Sequence, residues 1–429
     1  MLLKSGIIMK SSKVSPKRES RSLNIGSDRS SSGKNSKIRI IQASIKRKLL
    51  LNRTSLLKDK VFLPELLLHD DKYATASKVQ KFLKSTLLIN RFTLDMRNYY
   101  YNYMLKKLQN IKHNECLEEK KYDDNDGFTI RNIINLEKKI GTDSFNGSIY
   151  KTAIRNVLGI FPIATKLMEN NNENNTEIRL MEHITENLIL AKKSKHFLLT
   201  YKTCVCDIVD YPEERTLISI NEIANGDLNS LIDYPKNARN RELLFNIMFQ
   251  CFISVGTFHN SANNVHQDIH AGNFLWHTNN EKGYYHYIFN GKHFYLKSCK
   301  YNVMLYDFGY ANIIRSKKSI LKILADYTEI ITSFLKNEFE EESETIAPPT
   351  DEIIAELYGL IDVLMVEYKI ISKKYAPDSS SPESKSKSYQ QIYFDYILNN
   401  ILIPHSSNNL LLTDKPNKVI NKTPYYIDI

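Results

Sequence analysis

Between Val265 and Gly309 the chain reads VHQDIHAGNFLWH, then an aromatic stretch, then NVMLYDFG. Asp268 and Asn273 stand in the first half as H-x-D-x-x-x-x-N, and Asp307 opens a D-F-G in the second. One carboxylate within reach of a hydroxyl, with an amide and a second carboxylate as oxygen ligands for magnesium, is the set that phosphoryl transfer from ATP requires. Either motif alone is weak. In this order, each behind an apolar run, they demand a fold that carries Asp307, 34 positions beyond Asn273, back to the same point.

The segments around this stretch can be placed on strands and helices. IGTDSFNGSIYKTAI, from Ile140, alternates after Gly141, Phe145 and Gly147 and predicts a strand, a turn and a strand. A glycine-rich hairpin lets peptide N–H groups approach phosphate oxygens with no Cβ in the way. FPIATKLM is a β-type run that includes Ile163, Ala164 and Lys166; a lysine there needs a partner or a ligand. NNNENN (Asn170 to Asn175) reads as a polar loop, followed by a helix on which Glu177 shares a face with Met181, Ile184 and Leu188. Glu177 is therefore a candidate partner for Lys166, with Glu182 and Glu186 as rivals. HFLLTYKTCVCDIVD alternates as a strand, and Leu217 to Ile220 reads as an inner one. Glu222, Ile223, Ala224 and Asn225 form an exposed connection before a helix begins at Gly226-Asp227-Leu228. Glu242 to Phe258 predicts an apolar helix, and YYHYIF-NGK-HFYL a hairpin turning at Asn290-Gly291. His286 and His293 flank that turn as strand residues. Beyond Gly309 a helix resumes by Ile320 and includes Asp326, placed to brace the catalytic stretch through its backbone. Further helices follow over Ile353 to Tyr368 and Tyr389 to Ile403, and from Pro404 the composition is that of a loosely packed tail.

Ahead of these elements the chain changes character. Its first 60 residues hold 16 Lys or Arg against Glu19, Asp28 and Asp59, whereas the whole chain carries only +11. A basic, Ser-rich tail is expected there, disordered, able to meet nucleic acid, anionic lipid or an acidic protein. Residues 61–135 read as a helical extension, its apolar period marked by Leu88, Phe92, Met96 and Tyr100, ending in an acidic linker from Glu118 to Asp126. No apolar run is long enough to span a bilayer, and five scattered cysteines suggest reduced thiols in a cytoplasmic protein.

Taken in order, these motifs resemble the protein-kinase-like fold over roughly Ile140 to Leu335, and in detail the divergent serine/threonine kinases of poxviruses and other large cytoplasmic DNA viruses. The resemblance implies an α+β, bilobal architecture: a small β-rich lobe over 136–224 and a larger helical lobe over 225–429, with a β-hairpin insert at 276–304. It implies ATP and Mg²⁺ (or Mn²⁺) as cofactors and protein Ser/Thr hydroxyls as acceptors, in a viral enzyme of the host cytoplasm or virion that acts in virion assembly. Asp268 would orient the acceptor hydroxyl and take its proton. Asn273 and Asp307 would hold the metal. Lys166, paired with Glu177, would grip the phosphates beside Gly141, Phe145, Gly147 and Ala164, and Glu222, Ile223 and Ala224 would meet the adenine. His270 stands where protein kinases usually carry Lys, and would help neutralise the transferred group or hold the loop. H-x-D-x-H-x-x-N is also the loop of choline-kinase-like and aminoglycoside-kinase-like enzymes, so a small-molecule acceptor is a second reading, and a pseudokinase scaffold a third. Gln267 replaces the usual Arg, which removes the guanidinium that would await an activation-segment phosphate.

Overall fold

The computed structural model describes residues 92–121, 126–144, 147–154, 163–206, 216–315, 319–335, 349–374 and 388–428. The expected basic tail (1–60), the first part of the helical extension and Phe145 lie outside these residues. Helix α1 (Leu94–Leu108) opens on Thr93, whose hydroxyl accepts from Met96 N–H. A seven-stranded antiparallel sheet follows in the order β1-β2-β3-β4-β5-β7-β6. Its strands are β1 (Glu118–Lys121), β2 (Asp126–Ile130), β3 (Ile134–Ser144), β4 (Gly147–Ile154), β5 (Ile163–Glu169), β6 (Thr200–Cys206) and β7 (Thr216–Glu222). The acidic segment expected to be a linker is thus the first edge of the sheet, where Glu118 to Lys121 pair with Asp126 to Thr129. Its backbone finds ladder partners there, which outweighs weak strand propensity.

The expected glycine hairpin is β3–β4, with a register shift between Ile140 and Ser144. Gly147 has φ +129°, and a Cβ on it would sit 2.1 Å from the Leu167 carbonyl oxygen of β5. No other residue fits there.

Helix α2 (Asn172–Ile184), continued by a π-helical turn over Thr185–Leu190, crosses between β5 and β6. It starts inside the asparagine run that was expected to be loop. Asn171 caps it by accepting from Asn174 N–H at 2.8 Å, so the polar run supplies the cap as well as the first turn.

Past β7 come β8 (Gly226–Asp227), α3 (Leu228–Ile232) and α4 (Arg241–Ser261), the last buried on nearly every side. The stretch that carries Asp268 and Asn273 then runs through β9 (Asn264–Val265) into β10 (Phe274–Thr278). The hairpin β11 (Tyr284–Phe289) and β12 (Lys292–Lys297) turns at Asn290-Gly291 as expected, both at positive φ. β13 (Tyr301–Leu305) returns antiparallel to β10, and β14 (Asn312–Ile313) pairs with β9. Helices α5 (Ser319–Leu335), α6 (Asp351–Lys374) and α7 (Tyr389–Ile397) complete the helical part.

The segment from Pro404 is not loosely packed. Its strands β15 (Leu411–Leu412) and β16 (Tyr425–Tyr426) flank the hairpin in the order β15-β12-β11-β16, and Leu410, Leu411, Tyr425 and Ile427 are buried. One apolar residue every few positions suffices for an edge strand, which composition alone does not reveal.

Cys116 and Cys206 form a disulfide, correcting the expectation of reduced thiols for that pair; Cys204, Cys251 and Cys299 are free. The two partners lie 90 positions apart, and only the docking of the α1–β1 connection on β6 brings them together. No helix among the described residues is long and apolar enough to cross a membrane. The architecture mixes helices with largely antiparallel sheets, β11 and β16 being a parallel pair, and is compatible with the α+β class.

Candidate functional site

Strand β5 carries Lys166 inward, 1 % exposed, between buried Thr165 and the core. Burying an ammonium is costly unless carboxylates meet it. Two do: Nζ lies 2.7 Å from Glu177 Oε1 and 3.1 Å from Asp307 Oδ1. Burial pulls the Lys166 ammonium towards neutrality, but Glu177, Tyr306 and Asp307 together outweigh it and hold its pKa above the ordinary value. We take the pair as ionised, because the ammonium sits between two acids. Glu177 reaches this point because it shares the buried face of α2 with Asn174, Ile178, Met181 and Ile184. Of the rivals, Glu182 accepts the Thr203 hydroxyl at 2.7 Å, and Glu186 is exposed.

Asp307 is delivered by β13. The β10–β13 ladder pairs Phe274 with Leu305, and one step further Tyr306 N–H donates to Asn273 C=O at 2.9 Å. Asn273 and Asp307 are therefore neighbours across the ladder. Asp307 holds φ +61°, a conformation that costs a non-glycine residue about 1 kcal/mol or more. Phe308 anchors it, its ring packed 5.0 Å from Phe258, 5.6 Å from His266 and 6.4 Å from Phe197, centroid to centroid.

The loop carrying Asp268 is fixed from α5. Asp326, fully buried, accepts His266 N–H at 2.7 Å on Oδ2 and Gln267 N–H at 2.8 Å on Oδ1, and holds His259 Nε2 at 2.7 Å. The expected brace is there. Glu329, one turn on, accepts the Ile269 N–H; burial pushes its carboxyl upward, and the charges of Asp326 and Asp268 add to the shift. Asn273 Nδ2 donates to Asp268 C=O at 2.8 Å and to Asp268 Oδ2 at 3.1 Å, which turns its own Oδ1 the other way. Asp268 and His270 are open to solvent, with His270 Nε2 3.7 Å from Asp268 Oδ2 and Nδ1 accepting Gly272 N–H at 3.1 Å. Lys166, Glu177 and Asp307 thus form one contact group and Asn273 and Asp268 a second, joined through the Tyr306 N–H bond to the Asn273 carbonyl.

Asn273 and Asp307 offer one amide and one carboxylate oxygen. Such a hard donor pair fits Mg²⁺ or Mn²⁺ that takes its remaining ligands from phosphate and water. No group of three His, Cys, Asp or Glu side chains suited to a metal occurs among the described residues.

The other expected residues fall as follows. Ala164 is buried on β5 opposite Asn221, and Gly141 lies on β3 where the register shifts. Glu222 is not part of an exposed connection. It ends β7, buried, and its carboxylate is taken by Arg97. Ile223 and Ala224 are partly exposed beyond it.

Sequence reasoning missed Arg97, Glu329 and Lys195. Arg97 had a signal: it occupies the buried stripe of α1 with Leu94, Tyr100, Met104 and Leu108, where a charge demands a partner. Lys195 had none, since it lies in a short connection. Its Nζ is buried, bonded to Asn302 Oδ1 and 3.6 Å over the Tyr285 ring, and burial, eased only partly by Cys299 and Glu281, lowers its pKa to about 7. The folded pKa lies below that of a free lysine, so from pH 7 upward the unfolded chain holds the extra proton and stability rises with pH. Lys195→Met should abolish that rise between pH 7 and 10, read as a flatter plot of Tm against pH.

No protein-family model matches this chain, and no curated protein matches it.

Proposed function

We propose that this chain is an ATP- and Mg²⁺-dependent protein serine/threonine kinase of the bilobal protein-kinase-like fold, with β1–β7 and α2 as the small lobe and the helical part as the large one. The observation that carries this reading is the Lys166 ammonium held between Glu177 and Asp307, 141 positions from the latter. A bound magnesium nucleotide supplies the transferable phosphoryl group and neutralises charge on its oxygens. Asp307 and Asn273 would hold the cation, and Lys166 the α- and β-phosphates. Asp268, steadied by Asn273, aligns the acceptor hydroxyl and takes its proton on the carboxylate. His270 lies beside it with a ring N–H available to the transferred oxygens. Positioning and charge neutralisation supply most of the rate in such a site.

The β11–β12 hairpin supports a protein acceptor, because a small-molecule kinase would favour a helical, acidic insert at that point. The test is incubation of the purified chain with labelled ATP, Mg²⁺ and a generic basic or acidic protein. Label enters protein with the wild type and not with Asp307→Ala. Label that persists in Asp307→Ala overturns the mechanism, and label in a metabolite alone overturns the acceptor.

Gln267 bears on regulation. Its Nε2 donates to the Tyr310 carbonyl at 2.7 Å, and β14 pairs with β9, so the segment after D-F-G is tied down without a phosphate. Phosphatase treatment should leave the initial rate unchanged. A rate that depends on phosphate between Gly309 and Ser319 contradicts this.

A further inference from the structure

We infer that α1 and the residue before its cap are a positioning element of the nucleotide site, in which Arg97 and Phe92 fix the connection 222–225 at a set distance from Asp307; this rests on the kinase reading above. Arg97 comes from outside the region of family resemblance. Its Nε donates to Glu222 Oε1 at 2.9 Å and Oε2 at 3.0 Å, and Nη2 to Oε2 at 2.7 Å. The same guanidinium donates from Nη1 to Lys195 C=O at 3.0 Å and from Nη2 to Phe197 C=O. One planar fork therefore ties two separate chain segments.

Each segment leads to one end of the proposed nucleotide. Glu222 is the last residue before Ile223 and Ala224. In the other direction, Leu305 N–H donates to His196 C=O at 3.0 Å, and Leu305 is two residues from Asp307. Arg97 is thus the tie between the backbone that would face an adenine and the carboxylate that would face the metal.

The connection is held from its far side as well. His277 Nε2 donates to Ile223 C=O at 3.0 Å, its Nδ1 lies 4.0 Å from Glu222 Oε1, and Phe92 stacks flat on its ring at 3.9 Å. Asn225 N–H donates to Trp276 C=O at 2.9 Å, and Asn225 Oδ1 accepts Thr278 N–H at 3.0 Å. Ile223 and Ala224 are bracketed by fixed points. A buried ion pair seldom stabilises more than apolar packing of the same volume. What the fork adds is a defined geometry, and that geometry spans the site.

The test uses the full chain and its Arg97→Lys and Phe92→Ala variants, at a temperature where each is folded. Lysine keeps the charge and loses the fork; Phe92→Ala removes one ring and no charge. Adenosine and ATP–Mg²⁺ should bind each variant about tenfold more weakly or worse, as loss of one charge-assisted bond or stacking contact implies. Inorganic tripolyphosphate with Mg²⁺ should bind as it does to the wild type, and the KM for the protein acceptor should not move. If folded Phe92→Ala and Arg97→Lys bind adenosine as tightly as the wild type, the inference is overturned. Equal weakening for tripolyphosphate overturns it too, since that marks general loosening. Should Arg97→Lys fail to fold, Phe92→Ala decides alone. A wild type that binds no ATP–Mg²⁺ removes the kinase reading instead, a distinct outcome.

Discussion

Asp268→Asn is expected to lower the rate of phosphoryl transfer to protein by about 10²–10⁴-fold, the usual contribution of a positioned general base, while nucleotide affinity stays at the wild-type level. The substitution keeps size and shape and removes the proton acceptor. It also leaves the Asn273 Nδ2 bond to the Asp268 carbonyl, so the loop keeps its form. Asp326 and Glu329 hold the flanking N–H groups independently of this side chain. Single-turnover transfer and nucleotide titration, measured side by side, separate the two effects. A variant that also loses nucleotide would show Asp268 to be part of the scaffold and not of the chemistry.

Lys166→Met should cost about 3–5 kcal/mol of folding stability, the typical penalty for removing one partner of a buried pair. Glu177 is fully buried with its ammonium 2.7 Å away, and methionine leaves that carboxylate without its counter-charge. Glu177 would then fold protonated. The unfolded chain binds fewer protons than the folded one once pH exceeds the free glutamate pKa, so the deficit grows with pH. Urea melts at acid and neutral pH should show it smallest in acid. Lys166→Met/Glu177→Leu should regain most of the loss, because an apolar pair of like volume is often as stable. A double variant no better than the single one would place the cost in packing and not in charge.

Much of this contact network was legible because buried charges stand out in apolar sequence. A lysine in FPIATKLM, an acid in NVMLYDFG and Asp326 at the buried face of an apolar helix each conflict with their surroundings, and each conflict is resolved by a contact in the structure. Arg97 presents the same conflict only on the stripe of Leu94, Tyr100, Met104 and Leu108, whereas the expected apolar period runs through Leu88, Phe92, Met96 and Tyr100. Strands β1 and β2 were illegible for a different reason. Their identity comes from the neighbouring β3 ladder, and a short polar sequence has no periodicity to announce it. The start of α2 shows the limit of composition: asparagines favour loops and helix caps alike, and only the chain geometry selects which.

The outer neighbours of the β11–β12 hairpin are supplied by β15 (Leu411–Leu412) and β16 (Tyr425–Tyr426), much further along the chain. An isolated two-stranded hairpin is at best marginally stable in water. During synthesis at about 5–20 residues per second, this aromatic ribbon would emerge and wait for roughly 6 to 28 seconds with both edges open. Its tyrosines and phenylalanines are then open to wrong partners, and the late strands act as the seal that ends that interval.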